Sequence, residues 1–235
     1  QFNEDIILMG SFLWSDLYSR EINYNDIIIK YFENEISLLK KIKPEMICLK
    51  EMASKNVKKY TKPFFTSWLV NPTRKNRKKS IIKNILVLGG GTAIVEDIIN
   101  SIISVLLKKS NYNIYCSEYE KHKFISERVY EFNFEENSFF NIDLIIARPG
   151  IGIITDCIDY YIPILAISEK NNYEMINNIQ KIEKMKIGLG IDLEKINNLD
   201  KLIQNIPYKY FLSNLSSISR NGISETIEFI NKKLN

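Results

Sequence analysis

Histidine is nearly absent from this 235-residue chain, with His122 the single copy. That argues against a His-rich metal site and against a serine–histidine pair built from sequence neighbours. The three cysteines, Cys48, Cys116 and Cys157, are odd in number, far apart and without a CxxC pair. Neither a disulfide framework nor a zinc site is expected, and a reducing cytoplasm is the natural setting. No run reaches the roughly 20 apolar residues that span a bilayer. The best stretch, residues 98–107, is interrupted by Asn100, Ser101 and Ser104 and closed by Lys108 and Lys109. The first residue is Gln1, and no basic region followed by an apolar core marks a signal peptide. The expectation is that the chain was cut or that its beginning is missing. Charge of one sign is also scarce in excess: 32 Lys+Arg against 28 Asp+Glu leave a net +4, so nucleic acid is not an expected partner.

What is present is a hydrophobic fraction of 45%, enough over this length for one large domain or two small ones. Residues 6–9 read as a buried strand ending at Gly10. Residues 25–42 carry apolar side chains at 28, 29, 32, 36, 39 and 42, the spacing of an amphipathic helix, with Pro44 after its end. Residues 46–49 read as a second strand and 64–70 as a third. Then five of the six residues 74–79 are basic, and the stretch 72–79 is the best linker. It reads either as a solvated connector or as a contact for an anionic membrane surface or a phosphorylated acceptor.

From residue 81 the pattern alternates between strand and helix. Residues 85–88, 112–116, 129–134, 144–147, 164–167 and 188–191 read as strands. Residues 93–109, a stretch from about Thr155, and 173–185 read as helices. This alternation predicts an α/β fold, a Rossmann-like parallel sheet with helices on both faces. The expected division is 1–80 as a partial N-terminal α/β domain with linker, 81–217 as the main domain, and 218–235 as a C-terminal helix crossing back.

Three constellations carry chemistry. Gly89-Gly90-Gly91-Thr92 follows a strand and precedes a helix, where glycines let backbone approach an anion at a helix N-terminus. Taken alone it is also an ordinary tight turn. Arg148-Pro149-Gly150-Ile151-Gly152 makes a second such turn, followed by Thr155 and Asp156. A carboxylate about one turn into that helix can accept both hydroxyls of a ribose, or simply complement the helix dipole. The third is a strand, a polar loop and the helix start with Glu174 and Asn177, which reads as capping or as contact with a sugar or phosphate.

Together, residues 143–192 resemble the donor-binding region of the GT-B glycosyltransferases, in the branch that adds N-acetylglucosamine during lipid II synthesis. The resemblance rests on Arg148 to Gly152, Thr155, Asp156, Ile162-Pro163, Glu174 to Asn177 and Gly188-Leu189-Gly190. Residues 89–91 match that family's first loop in this domain, and residues 221–234 its terminal helix. It implies a second, partial Rossmann-like domain in residues 1–80. It implies that Gly150, Gly152 and Thr155 line a diphosphate, and that Asp156 stands where a Glu binds the ribose. Glu174 and Asn177 stand where Gln and Asn meet the donor sugar. Gly89, Gly90, Gly91 and Thr92 close the pocket, Arg148 ends the strand, and backbone in 129–134 faces the base. Asp156 is one methylene shorter than the usual Glu, and Glu174 replaces a neutral amide with a charge.

A fainter likeness covers residues 10–18, which resemble an aromatic signature late in the N-domain of some relatives and equally fit a core aromatic cluster. The implied activity is transfer of a sugar from a nucleotide diphosphate, UDP by family habit, to an unidentified acceptor. No metal or cofactor is implied. The implied partners are the nucleotide sugar, a membrane-surface or lipid-linked acceptor at the inner membrane face, and a second subunit or missing N-domain. No catalytic base is visible, Asp16 being the nearest acid in the aromatic segment. The alternatives left open are a non-catalytic or split-enzyme subunit and a UDP-sugar hydrolase or 2-epimerase.

Overall fold

In the computed structural model, which describes residues 6–18, 26–76, 81–89, 96–169 and 172–234, the chain separates into two units. One is Gln1–Val70 with Ser219–Asn235, the other Asn71–Ile218. In the first unit, β1 (Ile7–Met9), β2 (Glu45–Leu49) and β3 (Lys62–Thr66) form a parallel sheet in the order β1-β2-β3. Helices α1 (Trp14–Tyr18), α2 (Asp26–Ile42) and α3 (Val57–Tyr60) accompany it, around a core of Leu13, Leu39, Met46, Cys48, Val57 and Tyr60. The periodicity of α2 is as expected, but its burial is not. Ile28, Ile29 and Ile42 are exposed and only Leu39 is buried. A 17-residue helix is about 25 Å long, whereas strands of three to five residues span roughly 10–17 Å. The sheet cannot cover the whole apolar stripe.

The third strand also ends earlier than residue 70. Beyond Thr66 there is no partner on β2, which stops at Leu49, and the backbone bonds elsewhere: the Trp68 carbonyl accepts from the Gly222 N–H at 3.2 Å. Asp16 is committed to structure. Its carboxylate accepts from the Ser54 hydroxyl at 2.5 Å and from the Asn56 side-chain and main-chain N–H groups at 2.6 and 3.2 Å, tying down the loop after β2.

The second unit holds β4 (Asn84–Leu88), α4 (Glu96–Lys109), β5 (Asn113–Cys116), α5 (Glu118–Lys121), β6 (Val129–Glu131) and α6 (Glu136–Asn141). These are followed by β7 (Leu144–Ala147), α7 (Ile151–Asp159), β8 (Ile164–Ile167), α8 (Tyr173–Met185) and β9 (Gly188–Ile191). A 3-10 turn (Leu193–Asn198), α9 (Leu199–Asn205) and α10 (Tyr208–Ser217) complete it. All six strands are parallel, in the order β6-β5-β4-β7-β8-β9. Every residue of β7 and β8 is buried, as unbroken apolar runs require when helices cover both faces of a parallel sheet. On α4, Ile99, Ile102, Ile103 and Leu106 are fully buried on one face.

Two element boundaries in this unit differ from the sequence reading by more than one residue. The strand expected over 129–134 stops at Glu131, and Phe134 has φ of 58°. Val129 and Phe132 are both buried; at three residues apart they would fall on opposite faces of a strand, so the chain must turn for both to face inward. The helix expected near Thr155 begins four residues earlier, at Ile151, because the Ile154 N–H already donates to the Gly150 carbonyl at 3.1 Å. The final helix, α11 (Gly222–Leu234), belongs to the first unit. Phe229 stacks on Phe64 at 4.3 Å, and Glu225 accepts from the Ser67 N–H and hydroxyl at 2.7 and 3.0 Å. Those bonds, the Ser67 N–H first, hold the Glu225 carboxyl below its usual range.

Candidate functional site

Strand order in the larger sheet reverses between β4 and β7. The chain steps outward through β5 and β6, then returns to the far side of β4. Leu88 pairs with Ala147, so Gly89 and Arg148 leave the sheet side by side at its carboxyl edge. Ligands of open α/β sheets bind in the crevice at such a reversal. Gly90, Gly91 and Thr92 lie outside the described residues.

The α7 helix starts at this edge. Gly150 is its N-cap, with φ −66° and ψ 155°, and no side chain caps it. The first N–H groups of a helix have no acceptor within it and carry its positive dipole end. A Cβ added at Gly150 or at Gly152 would meet no atom within 4 Å, and neither glycine has a left-handed φ. Neither backbone conformation nor packing therefore demands glycine at these two positions. Gly188 and Gly190 on β9 are different. There a Cβ would sit 2.0 Å from the Ile164 carbonyl oxygen or 2.7 Å from Ile179 Cγ2, so these glycines serve strand and helix packing.

Arg148, at the end of β7, is held by Glu169, just beyond β8. Nε lies 2.5 Å from Oε1 and Nη2 lies 2.9 Å from Oε2, with both side chains largely buried. The Asn172 side-chain NH2 donates to the same carboxylate at 3.1 Å, while its oxygen accepts from the Met175 N–H at 3.1 Å as the cap of α8. A continuous polar chain thus links the end of β7 to the start of α8.

Asp156 is the sixth residue of α7, one and a half turns in rather than one, because the helix starts early. Burial, then the neighbouring Asp159, raises its carboxyl pKa. Thr155 donates its hydroxyl to the Ile151 carbonyl at 2.8 Å, within its own helix. Glu174, in the first turn of α8, is also raised by burial, with Arg148 pulling the other way. The Asn177 side-chain NH2 is buried without a hydrogen-bond partner among the described residues.

A carboxyl raised by burial makes the folded chain hold its proton longer than the unfolded chain does. Its penalty is absent below the unfolded value and grows as pH rises through the folded value. Asp156→Asn is therefore expected to melt higher than the parent chain at pH 7, and the gap is expected to close towards pH 3, as circular dichroism melts at the two pH values will check.

Sequence reasoning missed Asn178. It is fully buried on α8, and its side-chain NH2 donates to the Pro149 carbonyl at 2.8 Å. The signal was there: Asn178 interrupts the buried stripe of Met175, Ile179 and Ile182. Within the basic linker, Arg74 is engaged with protein. Its guanidinium meets Asp159 at 2.9 Å and Glu136 at 2.5 Å and lies 4.0 Å over the Tyr160 ring. Arg77, Lys78 and Lys79 lie outside the described residues.

No family model and no curated protein matches the sequence. Solved structures do. MurG of Acinetobacter baumannii superposes with a TM-score of 0.62 at 13% identity, over 86% of this chain and 63% of its own. CalG4, the calicheamicin glycosyltransferase, gives 0.59 at 9% identity, over 93% and 64%. The spinosyn rhamnosyltransferase SpnG, complexed with thymidine diphosphate, gives 0.58 at 10% identity, over 93% and 63%. The chain has the fold of these GT-B glycosyltransferases and spans about two thirds of their length. No helix among the described residues is long and apolar enough to cross a membrane.

Proposed function

We propose that this chain, built on the GT-B fold, is the donor-binding part of a glycosyltransferase and takes the diphosphate of a nucleotide sugar at the start of α7. The observation that carries the reading is the open helix N-terminus at the strand reversal, bordered by two glycines that the folded chain does not itself require. Gly150 and Gly152 leave room for phosphate oxygens to reach the Ile151, Gly152 and Ile153 N–H groups, where dipole and donors act together. The same groups stabilise the charge that develops on the leaving diphosphate when an acceptor hydroxyl attacks the anomeric carbon. Gly89, at the end of β4, borders the site. Asp156 accepts the two ribose hydroxyls. Glu174 and Asn177 meet the donor sugar. Arg148, already neutralised by Glu169, shapes the edge rather than supplying free charge.

The nucleotide is proposed to be a ribonucleoside diphosphate, because the Asp156 role needs a vicinal diol, with UDP first on the family resemblance alone. The transfer reaction is proposed for a whole protein of which this chain is the donor side, since it covers 63–64% of solved relatives such as MurG and CalG4. The other substrate, an acceptor at the membrane face, and the second subunit or additional N-terminal part belong to that same proposal.

Scanning calorimetry with UDP, GDP, ADP and thymidine diphosphate tests it. A ligand at 100 times its Kd adds about 2.7 kcal/mol to stability, so the melting temperature is expected to rise by several degrees with UDP and by less with thymidine diphosphate. No rise with any of the four would overturn the reading.

A further inference from the structure

Asn178 sits where only packing is asked for. The stripe of α8 that faces the sheet is Met175, Asn178, Ile179 and Ile182, all buried, and the other three are apolar. An amide taken out of water must be hydrogen-bonded to be tolerated. Here it is bonded at one end alone: Nδ2 donates to the Pro149 carbonyl at 2.8 Å, while the buried Oδ1 has no partner among the described residues. An apolar side chain would fill the site without that orphan atom. The amide therefore does something at Pro149.

The Pro149 carbonyl is the acceptor that would take the Ile153 N–H if α7 began one residue sooner. It does not: the first ladder bond runs from the Ile154 N–H to the Gly150 carbonyl. With its carbonyl turned to Asn178, Pro149 is withdrawn from the helix, and Gly150 keeps the extended ψ of 155°. The Ile153 N–H then remains among the free donors at the sheet edge.

We propose that Asn178 is a positioning residue: by holding the Pro149 carbonyl it sets where α7 begins, and so how many backbone N–H groups face the diphosphate. This rests on the diphosphate-binding reading of α7. It acts through the helix start and touches no ligand itself.

The test uses the full chain with Asn178→Leu, and Asn178→Ala in case the branched end does not fit. Three quantities are read: melting temperature, affinity for UDP by calorimetry, and amide hydrogen exchange at Ile153 in the unliganded protein. The expected result is a melting temperature within a few degrees of the parent, Ile153 exchange slowed about tenfold as its N–H takes the released Pro149 carbonyl, and UDP affinity lowered about tenfold. A purely structural role would lower the melting temperature and leave the affinity of the folded fraction alone. Affinity within about twofold of the parent overturns the proposal, as does unchanged exchange at Ile153, or collapse of the fold in both variants. If the parent chain binds neither UDP nor the other nucleotide diphosphates, the functional reading fails, and exchange at Ile153 alone then decides whether Asn178 sets the helix start.

Discussion

Gly152→Asp is expected to make the chain more stable and to abolish its binding of nucleotide diphosphates. The two effects have opposite signs because they come from one cause. Residue 152 is the second residue of α7, exposed, in ordinary helical backbone, with nothing within 4 Å of a Cβ. Replacing glycine in a helix recovers roughly 0.5–1 kcal/mol of backbone entropy, and a carboxylate in the first turn adds about 0.3–1 kcal/mol against the helix dipole. The same carboxylate occupies the space where the diphosphate is proposed to sit and repels it. A loss of about 100-fold in affinity, or about 2.7 kcal/mol, is a low estimate for one anion set against another at a donor cluster. Gly152→Ala separates the terms: it supplies the Cβ without the charge, so it is expected to keep the stability gain and lose a smaller part of the affinity. Calorimetry with UDP and thermal melts on both variants check this. Should Gly152→Asp bind UDP as the parent does, the diphosphate is not at α7, whatever else the chain binds.

The parallel sheet was legible in the sequence because its strands are short, unbroken apolar runs such as 144–147 and 164–167, too short for helices and flanked by Pro149-Gly150 and Pro163. The edge at which ligand would bind followed from strand direction alone, since loops after parallel strands open on one side. Strand order was not legible: nothing in residues 84–88 or 144–147 says that β7 returns to lie beside β4, and that adjacency is what brings Gly89 next to Arg148. The start of α7 was misread because Gly150-Ile151-Gly152 has the composition of a turn. Glycine disfavours helix by a modest amount, which one helical turn anchored by Ile154 and Cys157 in the core outweighs. Burial on α2 was misread for a different reason. Periodicity reports which face is apolar, not how much sheet exists to cover it. Arg74 looked like one of five similar basic residues, and only its neighbours Glu136, Asp159 and Tyr160, distant in sequence, distinguish it.

The glycines at 188 and 190 looked like those at 150 and 152, and a large stability effect is expected to separate them. Gly188 opens β9 and pairs with Ile164 on β8. A Cβ there would lie 2.0 Å from the Ile164 carbonyl oxygen and 2.9 Å from its carbonyl carbon, both main-chain atoms of the neighbouring strand. No rotamer change relieves a clash with backbone, so β9 must move away from β8 at the end where the Ile164 N–H donates to the Ile187 carbonyl. The cost combines overpacking with lost ladder bonds, about 4 kcal/mol or more, against a whole-domain stability of about 5–15 kcal/mol. Gly188→Ala is therefore expected to lower the melting temperature by about 10 °C. At Gly190 the nearest atom is the Ile179 Cγ2 methyl, at 2.7 Å, which can shift with its side chain. Gly190→Ala is expected to cost about 1 kcal/mol, within the ordinary range for a crowded core. Circular dichroism melts of Gly188→Ala, Gly190→Ala and Gly152→Ala should thus fall in the order large loss, small loss, gain. A Gly188→Ala variant as stable as the parent would mean that β8 and β9 are not paired in this register. Loss of stability in Gly152→Ala would mean that its glycine is structural after all, and the reason for reading an open anion site there would go with it.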